Sequence, residues 1–477
     1  MFKFKLQSWQ VLIGSCLFFT SCKVPALITA PEPKSVPASY NTSNDSTNIS
    51  ALQWRKLFTD TDLIRLVDTA LKNNQELLAN GQELVISGNE IRFRKAALFP
   101  TAGIVAGAGL EKVGRFTSQG AGDATTDIKP GKEFPDPLGD FVIGLSANWE
   151  VDIWKKLHTA KKAAVARYLA SVEGSNFIMT SLVAEVANSY YELLALDNQL
   201  AIVKQNILLQ QDALEIVKIQ KEAARATELA VQKFEAEVLK SRSLEFEILQ
   251  QINETENRIN FLVARYPQPV VRDTTQFSTM VPAFVNAGIP SQLLTNRPDI
   301  RQAELELTAA KLDVKVARAE FYPSLGITAG VGFQAFNPRY LLRTPESLLY
   351  NLVGDLAQPL INRNAIKAEY SSANARQLQS LYNYEKTVLN AYLEVATQLS
   401  NISNLEKSYD LKSKQVDALM RSIGISNDLF RSARVDYFEV LMTQRDALEA
   451  KLELVETKKK QFAALVNVYR DLGGGWR

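Results

Sequence analysis

The chain has 477 residues and a formal net charge of +2, with 22% charged residues. This near balance argues against nucleic acid as a partner, because proteins that bind a polyanion usually concentrate Lys and Arg. One His and five Met leave little material for a metal site built from imidazole or thioether ligands. The sequence also has no phosphate-binding glycine loop and no spaced metal-ligand cluster. It therefore predicts no cofactor and no enzymatic activity.

The N-terminus has the pattern of an export signal. Lys3 and Lys5 precede an interrupted apolar run over residues 11–19, which is too short to span a bilayer as a finished helix. Thr20-Ser21-Cys22 follows and resembles a bacterial lipobox, so we predict a signal peptide over residues 1–21 and acylation of Cys22. Cys16 is a competing acylation site. An ordinary signal peptide with two incidental cysteines is the remaining alternative.

Residues 22–60 are predicted to tether a lipid anchor to the folded body. The part between Lys23 and Ser50 contains four prolines and many Ser, Asn and Thr. Such a segment cannot bury enough apolar surface to order itself alone.

The remainder of the chain is an internal duplication. Residues 98–104 match residues 321–327 at an offset of 223, which aligns Pro100 with Pro323, and residues 225–231 match residues 434–440 at an offset of 209. The offset of 223 also superposes two heptad series, namely Leu77, Leu84, Ile91 and Leu98 on Ile300, Leu307, Val314 and Phe321. Repeats of this size are duplicated half-molecules.

Two long blocks are predicted to be helical hairpins. Residues 156–266 contain no proline and one glycine, and residues 360–472 contain no proline and only Gly424. Apolar residues spaced by seven indicate helices that pack lengthwise against neighbours. A single helix of either length would exceed an ordinary element, so we expect bends near residues 223–225 and 432–434. A closed ring of helices would satisfy this pattern, and so would a coiled-coil rod.

Four short segments alternate apolar residues with small or polar ones. The strands are expected to begin near Ala102, Phe141, Ser324 and Tyr350. Period-two alternation over about ten residues suits a strand between lipid and a watery lumen. A half-buried periplasmic sheet is the alternative. Four strands cannot enclose an open lumen, so a membrane-spanning role requires several chains, and three chains would supply twelve strands.

Several motifs together resemble one family. The most specific is the run over residues 288–294, followed by Arg297-Pro298-Asp299-Ile300; residues 149–154, 436–441 and 472–476 are also similar. The chain resembles the TolC-like outer-membrane efflux proteins, in the NodT-type lipoprotein branch that serves resistance-nodulation-division (RND) pumps. The resemblance implies a mainly α fold with a membrane β part. The expected assembly is a homotrimer whose twelve-stranded β-barrel continues into a twelve-helix periplasmic α-barrel.

The resemblance also implies location, partners and function. It implies a channel anchored in outer-membrane lipid, extending into the periplasm, whose helical tips dock on a periplasmic adaptor that couples to an inner-membrane RND pump. We expect passive conduction of drugs, toxic compounds or metal ions. Two alternatives remain open, namely a type I secretion duct for polypeptides and a lipid-anchored coiled-coil scaffold without a pore.

The hairpin bends carry the candidate site residues that the resemblance implies. Around the second bend, Arg434, Asp436 and Glu439 are predicted to line the periplasmic aperture. The predicted adaptor-docking residues are Arg225, Ala226, Thr227, Leu229 and Val435. Relatives commonly have glycine at the turns where this chain has Ala224 and Ala433, so these turns are expected to stay helical or to tighten differently, because alanine takes a positive φ only at a cost.

The predicted division of the chain combines these assignments. The signal peptide is 1–21, the tether 22–60, the first repeat 61–280, the second repeat 281–472 and the tail 473–477. Within the first repeat we expect a helix, then strands at about 99–110 and 141–151, and then a helical hairpin at 156–266. Within the second repeat we expect a helix at 298–321, strands at about 323–334 and 350–358, and a helical hairpin at 363–472.

Overall fold

The computed structural model describes most of the chain after the first fifty residues. Its described residues are 25–26, 32–33, 35–40, 48–274, 277, 279–280, 287–358, 363–432 and 434–476. The predicted acylation site Cys22, the competing Cys16 and the turn residue Ala433 lie outside these residues.

Long helices dominate the secondary structure. The α-helices are α1 (Trp54–Leu57), α2 (Thr61–Asn73), α3 (Gln75–Ala96), α4 (Ser118–Thr125), α5 (Lys156–Glu222), α6 (Glu228–Leu262), α7 (Leu293–Asn296), α8 (Pro298–Ala319), α9 (Asn364–Arg431) and α10 (Tyr437–Asp471). The strands are β1 (Thr101–Glu111), β2 (Asp127–Lys129), β3 (Lys132–Glu133), β4 (Leu138–Val151), β5 (Ser324–Ala335) and β6 (Leu348–Ala357). At 67 residues, α5 is about 100 Å long.

The chain divides into two compact units, and each takes segments from both predicted repeats. The first unit comprises Met1–Glu32, Val85–Leu169 and Leu305–Tyr382. The second comprises Pro33–Leu84, Ala170–Glu304 and Asn383–Arg477.

The first unit contains a four-stranded antiparallel sheet. Its strand order is β1-β4-β5-β6, so the central β4–β5 pair joins the two predicted repeats. Strand β4 begins at Leu138, three residues before the expected start near Phe141, because pairing with β1 continues to the partners Glu111 and Leu138. Strand β6 likewise begins at Leu348, opposite Phe333, before the expected Tyr350.

The core of the second unit forms where α2 packs on the long helices. Leu63 and Val67 are fully buried on α2 in one apolar cluster with Leu193 and Leu194 of α5. Asp60 accepts backbone hydrogen bonds from Asp62 (2.8 Å) and Leu63 (3.3 Å), which caps the start of α2. The same carboxylate accepts a 2.7 Å hydrogen bond from the Tyr190 hydroxyl, and burial raises the pKa of that phenol.

Arg297, from the motif that carries the family resemblance, joins three helices of this unit. Its side chain is 6% exposed and forms a two-pronged ion pair with Asp299, at 3.0 and 2.7 Å. It also donates to the Glu394 carboxylate of α9 (2.8 Å) and to the Asp471 carbonyl at the end of α10 (2.9 Å). The guanidinium thus satisfies a carbonyl at a helix C-terminus that has no partner within its own helix.

The first half of the chain has an equivalent joint with different chemistry. Asn74 occupies the position that the offset of 223 aligns with Arg297, and its amide donates a 2.9 Å hydrogen bond to the carbonyl of Leu262. Leu262 is the last residue of α6, and the offset of 209 aligns it with Asp471. The two predicted repeats therefore share the position of the joint and differ in its side chain.

Candidate functional site

The register of the four-stranded sheet collects apolar side chains on one face. One row across the sheet consists of Ile104, Leu145, Val331 and Tyr350. Each of these side chains is at least 50% exposed in the single chain. Since directly opposed residues share a face of the sheet, the alternation of each strand adds to a continuous exposed apolar surface.

The other face carries small and polar side chains. The neighbouring row consists of Gly103, Ser146, Gly330 and Asn351. One apolar face and one small or polar face is the arrangement that a sheet between lipid and water requires.

Two glycines on this second face allow β4 and β5 to approach closely. Gly144 and Gly332 are direct partners. A Cβ on Gly144 would lie 2.7 Å from the Val331 carbonyl oxygen, and a Cβ on Gly332 would lie 2.5 Å from the Ile143 carbonyl oxygen. A side chain at either position would force the strands apart, so strand packing explains these glycines.

The first helical tip lies between α5 and α6. The backbone N–H groups of Arg225 and Ala226 both donate to the Gln220 carbonyl, at 2.8 and 3.3 Å, and close the turn. Ala224 has φ +55°, so the expectation that this alanine would avoid the left-handed conformation was wrong. The turn can impose this conformation because its hydrogen bonds offset the cost of a Cβ at positive φ.

The second tip, between α9 and α10, repeats this hydrogen bonding. The Arg434 N–H donates to the Leu429 carbonyl at 2.9 Å, which is the Arg225–Gln220 bond shifted by 209 residues. The N-cap differs between the tips. Thr227 caps α6 by accepting from the Ala230 N–H at 3.3 Å, whereas Asp436 precedes α10 without a side-chain capping bond.

A small apolar cluster joins the two tips within the second unit. Its buried members are Leu214, Val217, Ala230, Val231, Phe234, Val238 and Leu441. Ala226, Phe430 and Tyr437 pack against this cluster. The ammonium of Lys233 on α6 also lies 5.1 Å from the centre of the Phe438 ring on α10. The tips are thus held side by side.

The predicted tip residues differ in exposure. Arg225, Thr227 and Leu229 are exposed, whereas Ala226 and Val435 are half-buried. The predicted aperture residues Arg434, Asp436 and Glu439 are exposed as well.

The charged side chains of the two tips differ in their ion pairing. Within the described part of the chain, none of the three predicted aperture side chains forms an ion pair. At the first tip, Glu228 pairs with Lys221, and hydrogen bonds from Lys221 and Gln232 lower the pKa of its carboxyl. The sequence analysis missed this pair, although each residue lies within four positions of the predicted bend.

Two features are absent from the residues that the structure describes. None of their helices has the length and apolar character needed to cross a membrane. None of their His, Cys, Asp and Glu side chains forms a group of three or more suited to a metal ion.

The family model described as outer membrane efflux protein matches residues 66–265 and 289–474, which is well over half of the chain. The chain belongs to the outer membrane efflux protein family. It is 29% identical over 467 residues to the pyoverdine export outer membrane protein OpmQ of Pseudomonas aeruginosa, covering 98% of this chain and 96% of OpmQ. It is 24% identical over 485 residues to the probable outer membrane lipoprotein SilC of Salmonella typhimurium, and the match covers 100% of both chains.

A crystal structure of CusC has the same fold. The TM-score is 0.82 at 23% sequence identity, and the match covers 95% of this chain and 99% of that chain. The predicted family and mainly α fold with a β part are confirmed. This efflux protein is a channel component of the outer membrane, and its family consists of channel proteins rather than enzymes.

Proposed function

We propose that three copies of this efflux protein pool their strands into one twelve-stranded barrel, continuous with a periplasmic tunnel of twelve long helices. The observation that carries this proposal is the division of the sheet into an apolar face and a small or polar face. Strands β1 and β6 are the edges of the four-stranded sheet. Open edges are not tolerated in lipid, so the edges of neighbouring copies must pair.

The cargo that we propose is a small molecule, which the tunnel conducts passively from an adaptor and an inner-membrane RND pump. Two relatives support this class of cargo. OpmQ is named for pyoverdine export, and CusC of Escherichia coli is named as a cation efflux system protein. In this proposal, the pump selects among drugs, toxic compounds and metal ions.

The helical tips are the proposed docking site for the periplasmic adaptor. The proposed contacts are Arg225, Ala226, Thr227, Leu229 and Val435. Leu229 supports this assignment, since it is 59% exposed directly beside the buried tip cluster. An exposed apolar side chain on a supported turn is suited to helix-to-helix docking.

The proposed periplasmic aperture is a ring of Arg434, Asp436 and Glu439 contributed by three chains. Their side chains are unpaired within the described chain, so they are available for ion pairs with a neighbouring copy. Carboxylates in such a ring attract cations and hold the aperture closed through salt bridges.

Single-channel recording tests the aperture. We expect the double variant Asp436→Ala with Glu439→Ala to raise conductance and to lose block by multivalent cations. The matched control, Glu228→Ala with Glu235→Ala, removes the same charge from the first hairpin and should conduct like the parent protein. Equal conductance and equal cation block in both variants would show that Asp436 and Glu439 do not line the aperture.

The trimeric channel itself is tested with the detergent-purified mature protein. We expect the mass of three chains and discrete conductance steps in a planar bilayer. A monomer or dimer that never conducts would overturn the proposal and favour a lipid-anchored scaffold.

A further inference from the structure

Four strand ends and four helix ends meet at one end of the sheet, which we call the helical end. Helices α3 and α8 lead into β1 and β5, and strands β4 and β6 lead towards α5 and α9. The strand termini are neighbours in the sheet, since Thr101 pairs with Asn148, Val151 with Leu325, and Ser324 with Ala357.

Each of these four helices carries an exposed lysine within two turns of the helix end that adjoins its strand. These residues, which we call the lysine belt, are Lys95 on α3, Lys162 on α5, Lys315 on α8 and Lys367 on α9. Within the described part of the chain, none of the four forms an ion pair. The belt therefore concentrates free positive charge in a chain whose net charge is only +2.

Carboxylates near the belt are largely committed to other partners. Glu90 pairs with Arg94 at 2.7 Å, Glu150 pairs with Lys156 at 2.6 Å, and Asp313 pairs with Arg167. Two exposed carboxylates at this end, Glu320 next to the end of α8 and Asp355 near the end of β6, form no ion pair with a described residue. The helical end is thus net positive after its internal pairs are taken into account.

Two tryptophans lie at the same end in fixed orientations. The Trp149 indole donates to the Leu98 carbonyl at 3.1 Å, and the Trp154 indole donates to the Pro323 carbonyl at 2.7 Å. Trp154 also stacks on Tyr322, with 4.7 Å between ring centres. Both tryptophans stay partly exposed, at 36% and 46%, below the apolar face of the sheet. Amphipathic rings in this position suit the headgroup level of a membrane.

Contacts of the N-terminal segment indicate which membrane leaflet lies near the helical end. Arg318 donates to the Pro25 carbonyl at 3.0 Å, and the Tyr370 hydroxyl donates to the Ala26 carbonyl at 2.6 Å. Pro25 is three residues after Cys22, the proposed acylation site, and three residues of chain reach at most about 10 Å. The leaflet that receives the acyl chains therefore lies close to the helical end.

We propose that the lysine belt, with Trp149 and Trp154, is a binding surface for anionic phospholipid headgroups of that leaflet. Lysine ammonium groups attract the headgroup phosphates, and the two indoles fix the depth of the sheet in the bilayer. The inference rests on the outer-membrane location and on the proposed acylation of Cys22.

Quenching of tryptophan fluorescence by brominated lipids tests the surface. The mature protein is reconstituted in phosphatidylcholine vesicles that contain brominated phosphatidylglycerol or brominated phosphatidylcholine. Trp476 is replaced by Phe and Trp54 is buried, so Trp149 and Trp154 report contact. We expect the anionic lipid to bind about fivefold more strongly than the zwitterionic one, since one basic residue near an anionic surface contributes about that factor. Added salt should weaken the preference.

A matched pair of variants assigns the effect to the belt. Lys95→Gln, Lys162→Gln, Lys315→Gln and Lys367→Gln together should abolish the preference. The control variant, with Lys56→Gln, Lys72→Gln, Lys240→Gln and Lys407→Gln, changes four exposed lysines of the second unit and should retain it. Equal quenching by both lipids in the parent protein, or the same preference in both variants, would overturn the inference. Oligomeric mass and conductance, measured on the same samples, report separately on the channel.

Discussion

Single residues decide how the long helices end. Ala264 and Gly473 occupy positions that the offset of 209 aligns, and both adopt a positive φ, at +55° and +87°. The second position requires glycine, because a Cβ on Gly473 would lie 2.5 Å from the Asn296 carbonyl oxygen. The first accepts alanine at the cost of local strain. The same turn thus tolerates different residues according to what packs against it.

Ala224 is strained in the same way, and glycine should relieve that strain. We expect Ala224→Gly to raise the free energy of unfolding by about 1 kcal/mol, because glycine adopts a positive φ without a clash. Guanidinium unfolding followed by circular dichroism measures the change. Ala236→Gly, at an exposed position inside α6, should instead lower the free energy of unfolding by about 1 kcal/mol. Equal losses in both variants would contradict the strain at Ala224.

The Arg297 and Asn74 joints should differ in strength. We expect Arg297→Met to lower the free energy of unfolding by about 3 kcal/mol, because it leaves the carboxylates of Asp299 and Glu394 without their cation. Asn74→Ala removes one neutral hydrogen bond to the Leu262 carbonyl and should cost about 1–2 kcal/mol. Denaturant unfolding of the two variants compares them, and an equal or reversed order would show that the ion pairs add nothing to the joint.

At the scale of elements, strand register determines which residues of the four strands share a face of the sheet. Each strand by itself shows only a period of two. Antiparallel pairing in a single register aligns the apolar residues of all four strands, and a shift of one residue in any strand would move its apolar set to the other face. The face therefore depends on pairing as well as on sequence pattern.

Adjacent residues of β4 test which face meets lipid. We expect Leu145→Arg to block assembly in the outer membrane, because a charged side chain facing lipid near the bilayer midplane costs about 2–4 kcal/mol. Ser146→Arg projects from the opposite face, between Gly103 and Gly330, and should assemble normally. Membrane fractionation followed by detection of the protein measures both. Loss of assembly with Ser146→Arg alone would reverse the assignment of the faces.

At the scale of the whole molecule, the two predicted repeats are interleaved. Both compact units contain segments of both repeats, and β4 of the first half pairs with β5 of the second. Neither half contains all four strands of the sheet, so neither can form the apolar face alone.

Membrane attachment of the whole protein is tested by metabolic labelling with palmitate. We expect Cys16→Ser to remain labelled and Cys22→Ser to lose the label, because Cys22 is the predicted lipobox cysteine that receives the acyl chains. Recovery of label and protein from the membrane fraction measures the outcome. Label lost from Cys16→Ser and retained by Cys22→Ser would move the anchor to Cys16.

The sequence by itself determined the long helices, the strand segments and the family. These features rest on local periodicity and short motifs, which neighbouring residues along the chain carry directly. The positive φ of Ala224 could not be predicted from the sequence, because alanine disfavours this conformation. The hydrogen bonds that close the turn impose it.

Only the tertiary structure decided which distant residues meet. The contacts of Arg297 with Glu394 and Asp471, the Asn74–Leu262 bond and the cluster joining the two tips link positions far apart in sequence. The lysine belt depends in the same way on the sheet, which brings four helix ends together. Such pairings follow from long-range packing, and no local periodicity encodes the identity of a residue's distant partner.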